Sequence, residues 1–168
     1  MVTARSLCSS FMSETSACSA PEASQFDFWL GEWDLSWPAE QTGGDAGEWA
    51  TGTNVITHRF GNCVVEENFA TSDGSFLGHS VSVYDEKSAS WRQTWVDNSG
   101  GYLLFEGGVR DDVMELRTPA VEEDGDTVVQ RMVFTNIEED SLTCHWQRSR
   151  DGGEQWEELW TIRYVRRS

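Results

Sequence analysis

Apolar and polar residues alternate with a period of two along almost the whole chain after residue 31, as in strands with one buried and one solvated face. Glu32-Trp33-Asp34-Leu35-Ser36-Trp37 alternates without interruption, its apolar members on one side. Similar stretches run from Trp49 to Phe60, Cys63 to Ala70, Gly78 to Tyr84, Trp91 to Asp97 and Tyr102 to Gly107. Others span Val113 to Thr118, Thr127 to Thr135, Leu142 to Ser149 and Trp156 to Val165. Turn-forming residues separate them, among them Gly61-Asn62, Asp73-Gly74, Asn98-Ser99-Gly100-Gly101 and Asp124-Gly125. No amphipathic helix of useful length occurs. Ser24 to Gly31 reads as one short helical turn, with Ser24 as its cap and Gly31 as its stop.

About ten strands with no helix to cover a face must close on themselves or split into a sandwich, because a long sheet leaves its edges open. The expected fold is all-β: a single antiparallel up-and-down barrel of about ten strands, wide enough to keep a lumen that side chains alone do not fill.

Composition narrows the function. The 168 residues make one domain, expected over 25–168, behind a disordered Ser-, Ala-, Thr- and Glu-rich tail over 1–24. The tail lacks the apolar core of a secretory signal, since Arg5 is followed by Ser6-Leu7-Cys8-Ser9-Ser10. That favours the cytoplasm and reduced thiols, with a Cys63–Cys144 bridge left open. Against 29 Asp and Glu stand 12 Lys and Arg, a net charge of −17, and Lys87 is the only lysine. Such a surface excludes a general nucleic-acid binder, and no apolar run of about 18 residues exists to span a membrane. It fits a halophilic protein whose self-repulsion salt screens, and equally an ordinary acidic one. Cys144 and His145 are adjacent, so on a strand they face opposite ways, and His58 and His79 stand alone; no metal or cofactor is expected. Haem would need His145 as a lumen ligand. Hydrolase, metalloprotease, phosphate-loop and dinucleotide motifs do not occur.

Pairing candidates by alternation gives a first site. If Tyr84 faces Trp91 across its hairpin, then Ser82 faces Gln93 and Ser80 faces Trp95, all on one side. Three aromatics place that side in the lumen, with small serines opposite indoles leaving space for a ligand. The other reading is solid core. Glu67 shares a face with Cys63, Val65 and Phe69, where desolvation would raise its pKa and prepare it as an acid or base. An interior salt bridge to Arg131 is the alternative. For the last strands, Met132, Phe134, Leu142, Cys144 and Trp146 form one apolar set. Trp156, Trp160, Ile162 and Tyr164 form a second, whose simplest pairing would turn Arg131 and His145 inward. A bulge would reconcile the two sets.

Phe26-Asp27-Phe28-Trp29-Leu30-Gly31-Glu32-Trp33 resembles the opening F-D-F-W-x-G-x-W of a family of small microbial domains of unknown function. Gly61 to Glu67, Tyr84, Trp91 to Asp97 and Ser149 to Trp156 extend the resemblance over about Phe26 to Tyr164. The last of these also looks like the Asp-box hairpin, S-x-D-x-G-x-x-W, a structural motif. Gly31-x-Trp33 after a short helical turn is similar to the first strand of lipocalin-like (calycin) barrels, in which that Trp closes one end. The resemblance implies a β-barrel with a small-molecule cavity and no settled reaction.

The function expected is binding of a small, partly apolar molecule in the lumen, through Ser80, Ser82, Trp91, Gln93, Trp95 and Arg131. The alternative is a cofactor-independent isomerase, cyclase or lyase using Glu67 with Tyr84 or His145 as acid and base. A third reading is an interaction protein with exposed aromatics.

Overall fold

The alternating segment around Trp33 becomes the first strand of a computed structural model that describes residues 18–167. This strand, β1 (Gly31–Pro38), pairs antiparallel with both β2 (Trp49–Arg59) and the last strand, β11 (Glu157–Arg166). Between them the chain meanders through β3 (Val64–Thr71), β4 (Leu77–Asp85), β5 (Ser90–Asp97), β6 (Tyr102–Arg110) and β7 (Val113–Arg117). A short β8 (Val121–Glu123) pairs with β9 (Asp126–Thr135), which also pairs with β7 and with β10 (Ser141–Ser149). The β10–β11 ladder completes the circle. Setting β8 aside, ten antiparallel strands form a closed barrel in chain order. Closure leaves no barrel strand with an unpaired edge.

One end of the barrel is solid. Where β1 begins, Phe26, Trp29, Trp33, Trp91 and Phe134 pack together, with the Phe26 ring 4.8 Å from Trp91 and Trp29 5.2 Å from Phe134. The plug comes from the segment before β1. It forms two 3-10 turns, Pro21–Ser24 and Asp27–Trp29, rather than one turn capped by Ser24, and neither has a side-chain cap. Burial of Phe26 and Trp29 supplies what capping does not. Trp91 Nε1 donates to Gln25 Oε1 at 3.2 Å, tying the plug to β5.

Trp33 is fully buried in this end. Its Nε1 donates to the Trp29 carbonyl at 2.8 Å, and the Arg166 guanidinium lies 4.2 Å from its ring centroid. Arg166 Nη1 also donates to the Leu30 carbonyl at 2.7 Å. Gly31 permits this approach: its φ is +129°, and Arg166 Nη1 occupies the space a Cβ would take.

A bulge reconciles the two apolar sets near the C-terminus: the first faces inward together with Trp160, Ile162 and Tyr164 of the second, and Trp156 does not. Trp146 pairs with Trp160, Cys144 with Ile162 and Leu142 with Tyr164, but Gln147 pairs with Glu158, so Leu159 has no opposite partner. The bulge turns Trp156 outside, where Arg131 stacks on it at 3.9 Å. Arg131 and His145 therefore lie on the outer face, against the inward reading. Arg131 donates to Gln147 Oε1 and Glu115 Oε2, and His145 Nδ1 sits 3.3 Å from Glu158. The Asp-box turn is structural: the Ser149 hydroxyl accepts from Gly153 N, and Asp151 Oδ1 accepts from Glu154 N and Gln155 N.

Cysteine pairing departs from expectation. Cys18 and Cys63 form a disulfide with Cα atoms 5.2 Å apart, while Cys144 is free and buried. Neither reduced thiols throughout nor a Cys63–Cys144 bridge is found. Cys63 lies in the turn before β3 at the plugged end, beside the incoming N-terminal segment, whereas Cys144 points into the lumen from mid-β10. Residues 1–17 of the expected disordered tail lie outside the described residues, and Pro21–Ser24 already form a turn.

Candidate functional site

The open part of the lumen lies toward the other end of the barrel. A cavity of about 210 Å³ extends from Glu67 and Tyr164 at mid-height to Phe76, Trp95, Asp97 and Leu103. These last four are half-buried and form the mouth. Phe69, Phe105, Trp146 and Trp160 line the walls, with Phe69 5.6 Å from Trp160 and Phe105 5.6 Å from Trp146. Trp95 lies across β4 because Gly78 has no side chain there; a Cβ at Gly78 would collide with the indole. Among the described residues, no Lys, Arg or His lines the cavity.

Glu67 forms the polar floor. Strand alternation sends Val65, Glu67 and Phe69 inward and Glu66 outward, where it pairs with Arg59. Asn54 Nδ2 donates to Glu67 Oε1 at 2.7 Å and the Ser80 hydroxyl donates to Oε2 at 2.6 Å. Asn54 Nδ2 also reaches Tyr164 Oη at 3.2 Å, and Asn54 Oδ1 has no partner among the described residues. Among the described residues no cation neighbours the carboxylate; its expected partner Arg131 is outside. Burial raises the Glu67 pKa to about 7, partly offset by the hydrogen bonds from Ser80 and Asn54. Burial likewise pushes the Cys144 thiol and the Tyr164 phenol up, with Glu67 adding to both. At the mouth, Asp97 accepts from the Ser99 hydroxyl, Gly101 N and Trp95 Nε1, which hold it at about 2.

The β4–β5 register matches the pairing read from alternation: Tyr84 with Trp91, Ser82 with Gln93 and Ser80 with Trp95. All six face inward, but they occupy different heights. Ser82 and Gln93 are buried and bonded to each other at 2.9 Å, and Trp91 belongs to the plug. Tyr84 stands beside Trp91 at the plugged end. Only Trp95 lines the cavity directly, and Ser80 contributes through Glu67. Tyr84 and His145 cannot reach Glu67, so the expected acid–base pairs do not form; nor can His145 ligate anything in the lumen. Asn54, Cys144, Trp160 and Tyr164 join the site without being among the residues expected there. The two C-terminal apolar sets carry a signal for Cys144, Trp160 and Tyr164, whereas Asn54 shows only as a polar residue on an inward position of β2.

A family profile described as "Protein of unknown function (DUF1579)" matches residues 20–166. The chain belongs to this family. The match covers the whole barrel and begins just before the plug. No match to the sequence was found among curated proteins. Among the described residues of this DUF1579 chain, no helix is long and apolar enough to cross a membrane. No cluster of three or more His, Cys, Asp or Glu could hold a metal ion among them either.

Proposed function

We propose that this barrel binds a small, partly apolar molecule in the 210 Å³ cavity, with aromatic rings as walls and Glu67 as the polar anchor. The carrying observation is a buried, hydrogen-bonded carboxylate at the base of a cavity with mostly apolar walls and Asp97 at its mouth. Apolar walls with few directed polar groups are what ligand recognition requires. The volume suits a small occupant: a cavity of about 150 Å³ holds benzene, and drug-sized ligands take roughly 300–1,000 Å³. The lipocalin-like reading is supported by Trp33 closing the opposite end under Arg166.

The raised pKa of Glu67 favours a second reading, a cofactor-independent acid–base enzyme in which Glu67 moves the proton. Its nearest titratable neighbours, Cys144 and Tyr164, both stay protonated at neutral pH, so such chemistry would rest on Glu67 alone. The Cys18–Cys63 bridge argues for an oxidising setting rather than the cytoplasm.

An environment-sensitive apolar dye tests the binding reading. It should bind, quench tryptophan fluorescence, and be excluded by a Leu103→Trp/Met132→Trp variant that fills the cavity. Equal dye binding by a folded filled variant would defeat the proposal.

A further inference from the structure

Resting on the lumen-binding reading, we infer that the ligand is a small organic ammonium cation, held in an aromatic cage with the Glu67 carboxylate as its counter-charge. Three independent features converge on this class. First, the cavity carries two carboxyl groups, Glu67 at the floor and Asp97 at the mouth, and no basic side chain. Second, its walls are rings: Phe69, Phe76, Trp95, Trp146 and Trp160 present faces and edges to the same space. Ring faces attract cations within about 6 Å, most strongly where water is excluded. Third, both Glu67 oxygens already accept hydrogen bonds from neutral donors, and the adjacent Asn54 Oδ1 is an unpartnered buried acceptor. A buried carboxylate in that setting lacks a counter-charge, and buried charges are normally paired. An anionic ligand would meet only repulsion here, from Glu67, Asp97 and the net charge of −17.

A proton competes for the same carboxylate. The groups facing Glu67 are Asn54 from β2, Ser80 from β4, Cys144 from β10 and Tyr164 from β11. The first two do not titrate, and the thiol and phenol stay neutral between pH 6 and 8. His58, further along the inner side of β2, is 3.2 Å from Asp27 and faces the plugged end. Asp97 remains ionised across the range. Glu67 is therefore the group whose ionisation should set the pH dependence. Cation binding should strengthen with pH; a neutral ligand that accepts the Glu67 proton would weaken.

The test is a matched pair of probes: acetylcholine, whose charge does not vary with pH, and its uncharged carbon isostere 3,3-dimethylbutyl acetate. Each is titrated calorimetrically into the full chain at pH 6 and pH 8. Acetylcholine should bind at least about tenfold tighter than the isostere at pH 8, a factor typical of one desolvated cation–ring contact. Its affinity should fall by up to about tenfold at pH 6, as Glu67 takes up a proton. Glu67→Gln should weaken acetylcholine to about its wild-type affinity at pH 6 and abolish the pH dependence, leaving only the preference that the rings supply. Should that variant not fold, the wild-type pH profile carries the same information. The Leu103→Trp/Met132→Trp variant should bind neither; retained acetylcholine binding there would place the cation on the acidic surface and overturn the inference. Equal or tighter binding of the isostere overturns the cation class while leaving the lumen reading intact. If neither probe binds the wild type up to its solubility limit, both fall.

Discussion

The Arg166 guanidinium lies 4.2 Å above the Trp33 ring, joining the last strand to the first across the plugged end of the barrel. The contact closes the β1–β11 seam, the ladder joining the first and last strands. Trp33→Ala should cost about 3–5 kcal/mol, the range for large core aromatics. Arg166→Ala should cost less, because its stem is half-exposed. Chemical denaturation measures both; a Trp33→Ala cost below about 1 kcal/mol would contradict the burial described.

Glu67 should make stability depend on pH. Its folded pKa of about 7 lies above the ordinary carboxylate value of 4.5, so the folded state holds a proton that the unfolded state releases. The contribution is fully present below about pH 4.5 and is lost as pH rises through 7, in total about 3 kcal/mol. Glu67→Gln should remove this component. Unfolding curves of both proteins from pH 5 to pH 8 should therefore diverge, the wild type losing more stability toward alkaline pH; parallel curves would show that Glu67 does not titrate in this window.

Small-to-large changes should separate the two halves of the lumen. Ser82 is buried against Gln93 in the packed half, so Ser82→Trp should destabilise by about 1–3 kcal/mol through overpacking. Met132→Trp faces the cavity and should cost less while reducing dye binding. Thermal melts of the two variants decide it, and the reverse ranking would put the void at the other end.

Reduction of Cys18–Cys63 should lower stability by about 2–4 kcal/mol, since the bridge closes a loop with a sequence separation of 45. Peptide mapping without reductant should recover the segments around residues 18 and 63 as one linked species. Recovery of the two as separate, alkylated peptides would count against the bridge.

The net charge of −17 should make the melting temperature climb between low and molar salt, as screening relieves self-repulsion. A melting temperature unchanged or falling over that range would mean that the charges are already compensated by their neighbours.

Much of the barrel is legible in the sequence because alternation is a local property of the backbone. Period-two patterning located the ten barrel strands, placed Glu67 on the inward side of β3, and set Tyr84 opposite Trp91 through the hairpin register. The short β8, exposed throughout, carries no such pattern and was not visible. Alternation assigns a side chain to a face, however, and says nothing of its height along the barrel. Height separated Tyr84, Trp91 and Gln93, packed under the plug, from Trp95 at the mouth. It was decided by where Phe26 and Trp29 fold back to fill one end, a contact between segments far apart in sequence. The same holds for Leu159: one unpaired residue in β11 turned Trp156 outward under Arg131 and left Trp160 and Tyr164 in the lumen. Cys18 met Cys63 only because the incoming segment crosses that closed end. Strand identity and inward face thus come from residues next to one another in the chain; the position of the cavity comes from packing between residues that are not.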